Sequence, residues 1–166
     1  MQKGTYSTRH LTQDAMFMVI LVILGMIKLP SFIPGAEFQL SAPYAVCLAM
    51  LVGFKRYFCI GIAASALQLM IGTHTIFNVI ISLVFRIVAG LIATKAPFGK
   101  KISMVVAGPL GTACGRFALA AITQVTVWPL LAAAVPGMLF TAVTVLLFEP
   151  VMRKLAQRIG ITPVRL

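Results

Sequence analysis

The segment HTIFNVIISLVFRIVAGLIATKAPFGKKISMVVAGPLGTACGRFALAAITQVTVW, residues 74–128, decides the fold. It holds two long apolar runs, 75–94 and 102–127, joined by Lys95-Ala96-Pro97-Phe98-Gly99-Lys100-Lys101. A bilayer core of roughly 30 Å is crossed by about 20 apolar helical residues, so each run reads as a transmembrane helix. The short basic connector makes the two antiparallel neighbours. Each carries one arginine: Arg86 lies 12 residues after His74, and Arg116 lies 12 before Trp128. At 1.5 Å of rise per residue both then sit about 18 Å from the end opposite the connector. Neither run contains Asp or Glu, and an ionised side chain near mid-membrane costs roughly 2.5–3.5 kcal/mol on insertion scales unless something pairs it. What neutralises these arginines is the functional question.

Outward from this segment, composition sets the class. Sixty per cent of the 166 residues are hydrophobic and 10% are charged, with a mean hydropathy of +1.03; a soluble domain carries about 25% charge. The length allows about six crossings in a single integral membrane domain spanning 1–166. The expected architecture is an all-α polytopic membrane protein with helices at about 11–29, 40–54, 57–72, 75–94, 102–127 and 129–148, followed by a basic surface tail over 151–166. The runs flanking Lys55-Arg56 are short and need snorkelling basic ends to reach both interfaces. A four-helix protein, in which residues 40–71 form one re-entrant unit, is the alternative. Residues 30–39 contain two prolines and a glycine. They read as a loop, either a cover over a site or a plain connector.

Charge tests this layout. With six crossings, Lys3, Arg9, Lys55, Arg56, Lys95, Lys100, Lys101, Arg153, Lys154, Arg158 and Arg165 fall on one side and Lys28 on the other. That asymmetry puts both termini in the cytoplasm. The net charge of +11 is thus a set of topology signals scattered between apolar runs, not a nucleic-acid-binding face. The basic start before residues 15–27 looks like a secretory signal, but Lys28-Leu29-Pro30 stands where a small-residue cleavage site would be.

Catalytic patterns are absent. No HExxH helix, paired-carboxylate site or Ser-His-Asp set at one depth occurs, so no enzyme is expected. Gly99-Lys100-Lys101 lacks the remainder of a phosphate loop. Without carboxylates at membrane depth, an ion-coupled carrier is disfavoured. Cys47, Cys59 and Cys114 match no metal or redox spacing and read as small buried hydrophobes; neither a metal nor a cofactor is expected.

Polar residues instead gather in the outward half: Gln39, Ser41, Tyr44, Gln68, His74, Asn78, Ser82, Thr123, Gln124, Thr126 and Trp128. Asn78, Ser82 and Arg86 are spaced by four and form one stripe leading down to the buried charge. The candidate substrate-binding set is Arg86, Arg116, Asn78, Ser82, Gln124, Gln39, Tyr44, His74 and Trp128, with Phe38 or Phe77 as further rings to stack on a ligand. Arginine's planar fork suits a two-oxygen anion, so the substrate read from these residues is a small anionic solute. Blander roles compete: Trp128 as an interfacial anchor, Arg86 capping backbone carbonyls. Small-residue seams, Ala107-x-x-x-Gly111-x-x-x-Gly115, Ala45-x-x-x-Ala49-x-x-x-Gly53 and Ala89-x-x-x-Ala93, serve helix packing or the docking of another membrane subunit.

The chain as a whole resembles the substrate-binding S component of energy-coupling factor (ECF) transporters. The resemblance lies in the layout of six helices, the broken first outer loop from Leu29-Pro30 to Gln39-Leu40-Ser41-Ala42-Pro43, and the tight Gly53-Phe54-Lys55-Arg56 turn. It implies capture of a vitamin or related micronutrient in a pocket formed mainly by helices 4 to 6 and covered by the first loop. It also implies a prokaryotic cytoplasmic membrane, contact with membrane lipid, and partners in a transmembrane T component and two cytoplasmic ATPases. The chain departs from the family at helix 1, where Ala15 is followed by Val19 and Gly25 and not by the Ala-x-x-x-Ala docking motif. A membrane scaffold that binds no solute and a stand-alone facilitator are the competing classes.

Overall fold

A helix too short to cross a bilayer lies at the centre of the structure. The computed structural model describes residues 8–29, 38–161 and 163–164. In it α2 (Ser41–Val52) has 12 residues, ten of them buried, and it packs against every other helix. The reason is local. SAPYAVCLAMLV is apolar on all sides, and such a helix belongs inside a bundle, not at its surface. Around it stand α1 (Thr8–Met26), α3 (Phe54–Met70), α4 (Ile76–Lys95), α5 (Lys100–Thr123) and α6 (Val127–Ile159). Of the six, α1, α4, α5 and α6 are long and apolar enough to cross a membrane. Their outer faces carry large exposed apolar residues such as Met16, Ile23, Leu139 and Leu147.

Inward faces follow the helical repeat. In α1, Gln13, Phe17, Leu21 and Gly25 are buried at intervals of four. The α5 seam turns toward α4: a Cβ on Gly111 would crowd Ala89 and Phe85, and one on Gly115 would press on Ile81. The small residues of α4 and α5 are therefore consumed by close packing within the bundle. Cys47 is buried as expected, but Cys59 is exposed and Cys114 only partly covered.

Several boundaries differ from the sequence-based expectation. The first helix ends at Met26 and not at 29; Lys28–Leu29 instead pairs antiparallel with Phe38–Gln39, as β1 and β2. The intervening residues 30–37, most of the expected cover loop, lie outside the described residues. Helix α3 begins at Phe54, so Lys55 and Arg56 sit in its first turn, and the link from α2 is Gly53 at φ 81°, a conformation that favours glycine. Two cations at a helix N-terminus are unfavourable; Asp14 of α1 answers with an ion pair to Arg56 at 2.6 Å. Helix α5 stops at Thr123, with Gln124 in the left-handed region. Finally, α6 continues through Pro136 and Pro150 to Ile159. The basic segment after 150 is thus mostly a continuation of this helix, as far as Ile159.

The described residues join at one end of the bundle through backbone acceptors. Arg9 donates to the Ile159 carbonyl at 2.8 Å and Gln13 to the same oxygen at 3.3 Å. The Val164 amide donates to the Leu51 carbonyl at 3.1 Å.

Candidate functional site

At the opposite end a cavity of about 310 Å³ opens where the first turn of α2 meets the C-terminal part of α3 and the N-terminal half of α4. All six helices and β2 contribute to its wall, a broader frame than helices 4 to 6. Arg86 and Arg116 both line it, with Gln39, His74, Asn78 and Ser82. These six of the nine expected residues are brought together. Their heights differ from the expectation, because α5 ends early: Arg86 lies ten residues, about 15 Å, from the start of α4, and Arg116 seven residues, about 10 Å, from the end of α5.

The other three lie outside the lining. Tyr44 faces the core at 2% exposure, its hydroxyl without a hydrogen-bond partner among the described residues. Gln124 caps α5 and donates its amide to the Ala121 carbonyl at 2.8 Å. Trp128, in the first turn of α6, is 73% exposed, as an interfacial anchor would be. Phe38 packs on Phe140 with ring centroids 5.2 Å apart, which fixes β2 against α6.

Arg86 is the buried charge of the site, 6% exposed. It crosses to α3 over Gly61, where a Cβ would overlap its Nε and Cδ. Its Nη1 donates to Ser65 Oγ at 2.9 Å. Ser65 and Ser82 hydroxyls lie 3.0 Å apart, and Ser82 donates to the Val79 carbonyl at 2.8 Å. One proton per hydroxyl fixes the direction of this chain: Arg86 to Ser65, Ser65 to Ser82, Ser82 to backbone. Ser82 is thereby spent on holding Arg86.

The chain leaves Arg86 Nε buried with no partner among the described residues. Of the described acids, Asp14 pairs with Arg56 and Glu149 with Arg153, both at the far end of the bundle. No resident carboxylate neutralises Arg86 or Arg116 among the described residues. Since a buried cation left incompletely paired is costly, Arg86 fits a ligand that supplies the negative charge, with the half-buried Arg116 on the same cavity.

Sequence reasoning passed over Ser65, Thr112 and Thr141, and placed Gln68 in the polar outer half without choosing it as a site residue. Ser65 and Gln68 are three apart on α3, Thr112 and Arg116 four apart on α5, so a same-face search outward from each arginine and its partner helix is the signal that finds them.

No protein-family model matches this chain. Protein BioX of Lysinibacillus sphaericus is 46% identical over 141 residues, 84% of this chain and 84% of that protein. Among solved structures, the S component for biotin from an ECF-type ABC transporter aligns over 95% of each chain with a TM-score of 0.68 and 20% identity, a likeness that carries the fold. The S-component layout expected from the sequence is thus the fold observed, and with it the expectation of a non-enzymatic membrane protein.

Proposed function

This chain belongs to the family of Protein BioX, and we propose on that premise that it is the substrate-capturing S component of an ECF-type uptake system for a small carboxylate vitamin, with biotin the first candidate. The observation that carries the reading is Arg86, buried and incompletely paired, facing the same cavity as Arg116 with no carboxylate beside them among the described residues. Biotin offers one carboxylate at the end of an apolar chain and a ureido ring with N–H donors. The cavity, at about 310 Å³, falls at the lower end of the range of small-ligand pockets. Ser41 and Ala42, in the first turn of α2, place a helix N-terminus against the same space and add a partial positive charge.

In this reading the single domain crosses a prokaryotic cytoplasmic membrane six times, with both termini inside. The basic residues then face the cytoplasm, the cavity faces outward, and lipid covers the exposed apolar faces. Asn78 orients the ligand from α4, while Gln39 and His74 stand at the mouth. Delivery inward requires a transmembrane T component and two ATPases, since the chain itself has no nucleotide-binding motif.

Binding of biotin to the purified protein in nanodiscs, measured by calorimetry, tests this. Arg86→Ala and Arg116→Ala should each weaken binding roughly 10- to 100-fold, the loss expected for one charge-assisted hydrogen-bonded contact. Biotin methyl ester, which has no charge, should bind correspondingly weakly. Equal affinity for acid and ester, or unchanged affinity in both variants, rejects the anionic-ligand reading. Uptake into cells lacking every ECF ATPase would replace the S component with a facilitator.

A further inference from the structure

Gln68 is a polar side chain of the cavity wall that the arginine-centred reading does not use. It is 2% exposed, it lies one turn beyond Ser65 on α3, and it is fixed twice. Its backbone carbonyl accepts hydrogen bonds from the Thr73 amide, the His74 amide and the Thr73 hydroxyl at 3.0–3.2 Å. Its side-chain Nε2 donates to the Val22 carbonyl of α1 at 3.4 Å. Gly25 makes room for that contact, since a Cβ there would overlap Gln68 Nε2.

The bond to Val22 settles which end of the amide is which. A carbonyl accepts, so the nitrogen must face α1 and the oxygen is left for the cavity. No described residue donates to that oxygen. An acceptor on the cavity wall that the protein leaves without a donor is open to an N–H of the ligand, so the wall favours ligands that can supply one.

Building on the carboxylate-receptor reading, we propose that Gln68 is a specificity-determining residue whose side-chain oxygen accepts a hydrogen bond from an N–H group of the ligand while the arginines hold its carboxylate. Ser65, which anchors Arg86, and Gln68 share one face of α3 about 4.5 Å apart along the axis. The site therefore measures both ends of a ligand from one helix: an anion at the level of Ser65 and a donor farther out. A ureido ring satisfies this; a carboxylic acid of the same length without N–H does not.

The test compares biotin with lipoate, which has the same carboxylate-bearing chain but a dithiolane ring lacking N–H. The wild type should prefer biotin. Gln68→Met, similar in length and without the amide, should weaken biotin binding about 10-fold, the loss for one neutral hydrogen bond, and leave lipoate within about twofold. Gly25→Ala, which displaces the same amide by crowding it, should move the ratio in the same direction and decides the matter if Gln68→Met does not fold. An unchanged biotin-to-lipoate ratio in both variants, or equal loss of both ligands, overturns the assignment while leaving the receptor reading intact. Binding of neither ligand by the wild type refutes the receptor reading, and the assignment with it.

Discussion

A single methyl group at position 61 would evict Arg86 from its path across α3, because the arginine's Nε and Cδ occupy the space a Cβ would take. Gly61→Ala should therefore weaken ligand binding at least 10-fold with both cationic side chains still present and the protein still monodisperse on size exclusion. Ser65→Ala removes the acceptor for Nη1 and should cost binding about 1–3 kcal/mol, more than Ser82→Ala, which acts one bond further back. Calorimetry on the two variants orders them. At this scale the sequence was legible wherever polarity was conspicuous. A charge inside an apolar run is expensive, so Arg86 and Arg116 announced themselves. Ser65 did not, because a hydroxyl in a membrane helix can always satisfy itself on its own backbone. Gln124 and Trp128 were expected at the site from a helix drawn four residues too long, which turned a capping glutamine into a wall residue.

Between helices, the two described ion pairs differ in what they hold. Asp14–Arg56 joins α1 to α3 with side chains 13% and 22% exposed, whereas Glu149–Arg153 lies within α6, with Arg153 46% exposed. Asp14→Ala should lower stability in detergent by about 1 kcal/mol, while Arg153→Ala should change it by less than about 0.5 kcal/mol. Parallel thermal denaturation checks the contrast. Hydropathy located every helix because burial in lipid and burial in protein both demand apolar residues, but it blurred their ends. Lys55 and Arg56 read as a loop since a charge interrupts an apolar run, yet they form helix once Gly53 turns the chain and Asp14 compensates. The last expected helix stopped at 148, although the residues after Pro150 keep the helical spacing of Met152 and Ala156 against the core.

Over the whole molecule, function and fastening occupy opposite ends. The cavity lies where α2 begins, and the hydrogen bonds of Arg9, Gln13 and Val164 lie where α1 starts and α6 finishes. A chain truncated after residue 152 loses the Ile159 and Val164 contacts. It should unfold at a lower temperature while binding ligand within about twofold of the full chain, since distant sites act additively. Differential scanning fluorimetry with and without ligand separates the two effects. The distribution of lysine and arginine made this polarity visible from sequence; the all-round apolar sequence of α2 marked it for burial without deciding between lipid and protein as its cover.

That central position bears on how the protein is made. With ten of its twelve residues covered by the other helices, α2 has no side of its own to offer lipid, and a nascent chain that has reached only α3 has not yet produced the α4 and α6 walls that enclose it. Its final seating must follow synthesis of the C-terminal half, so ribosome-stalled chains ending before α6 should leave Cys47 open to a membrane-permeant thiol reagent that the finished protein excludes.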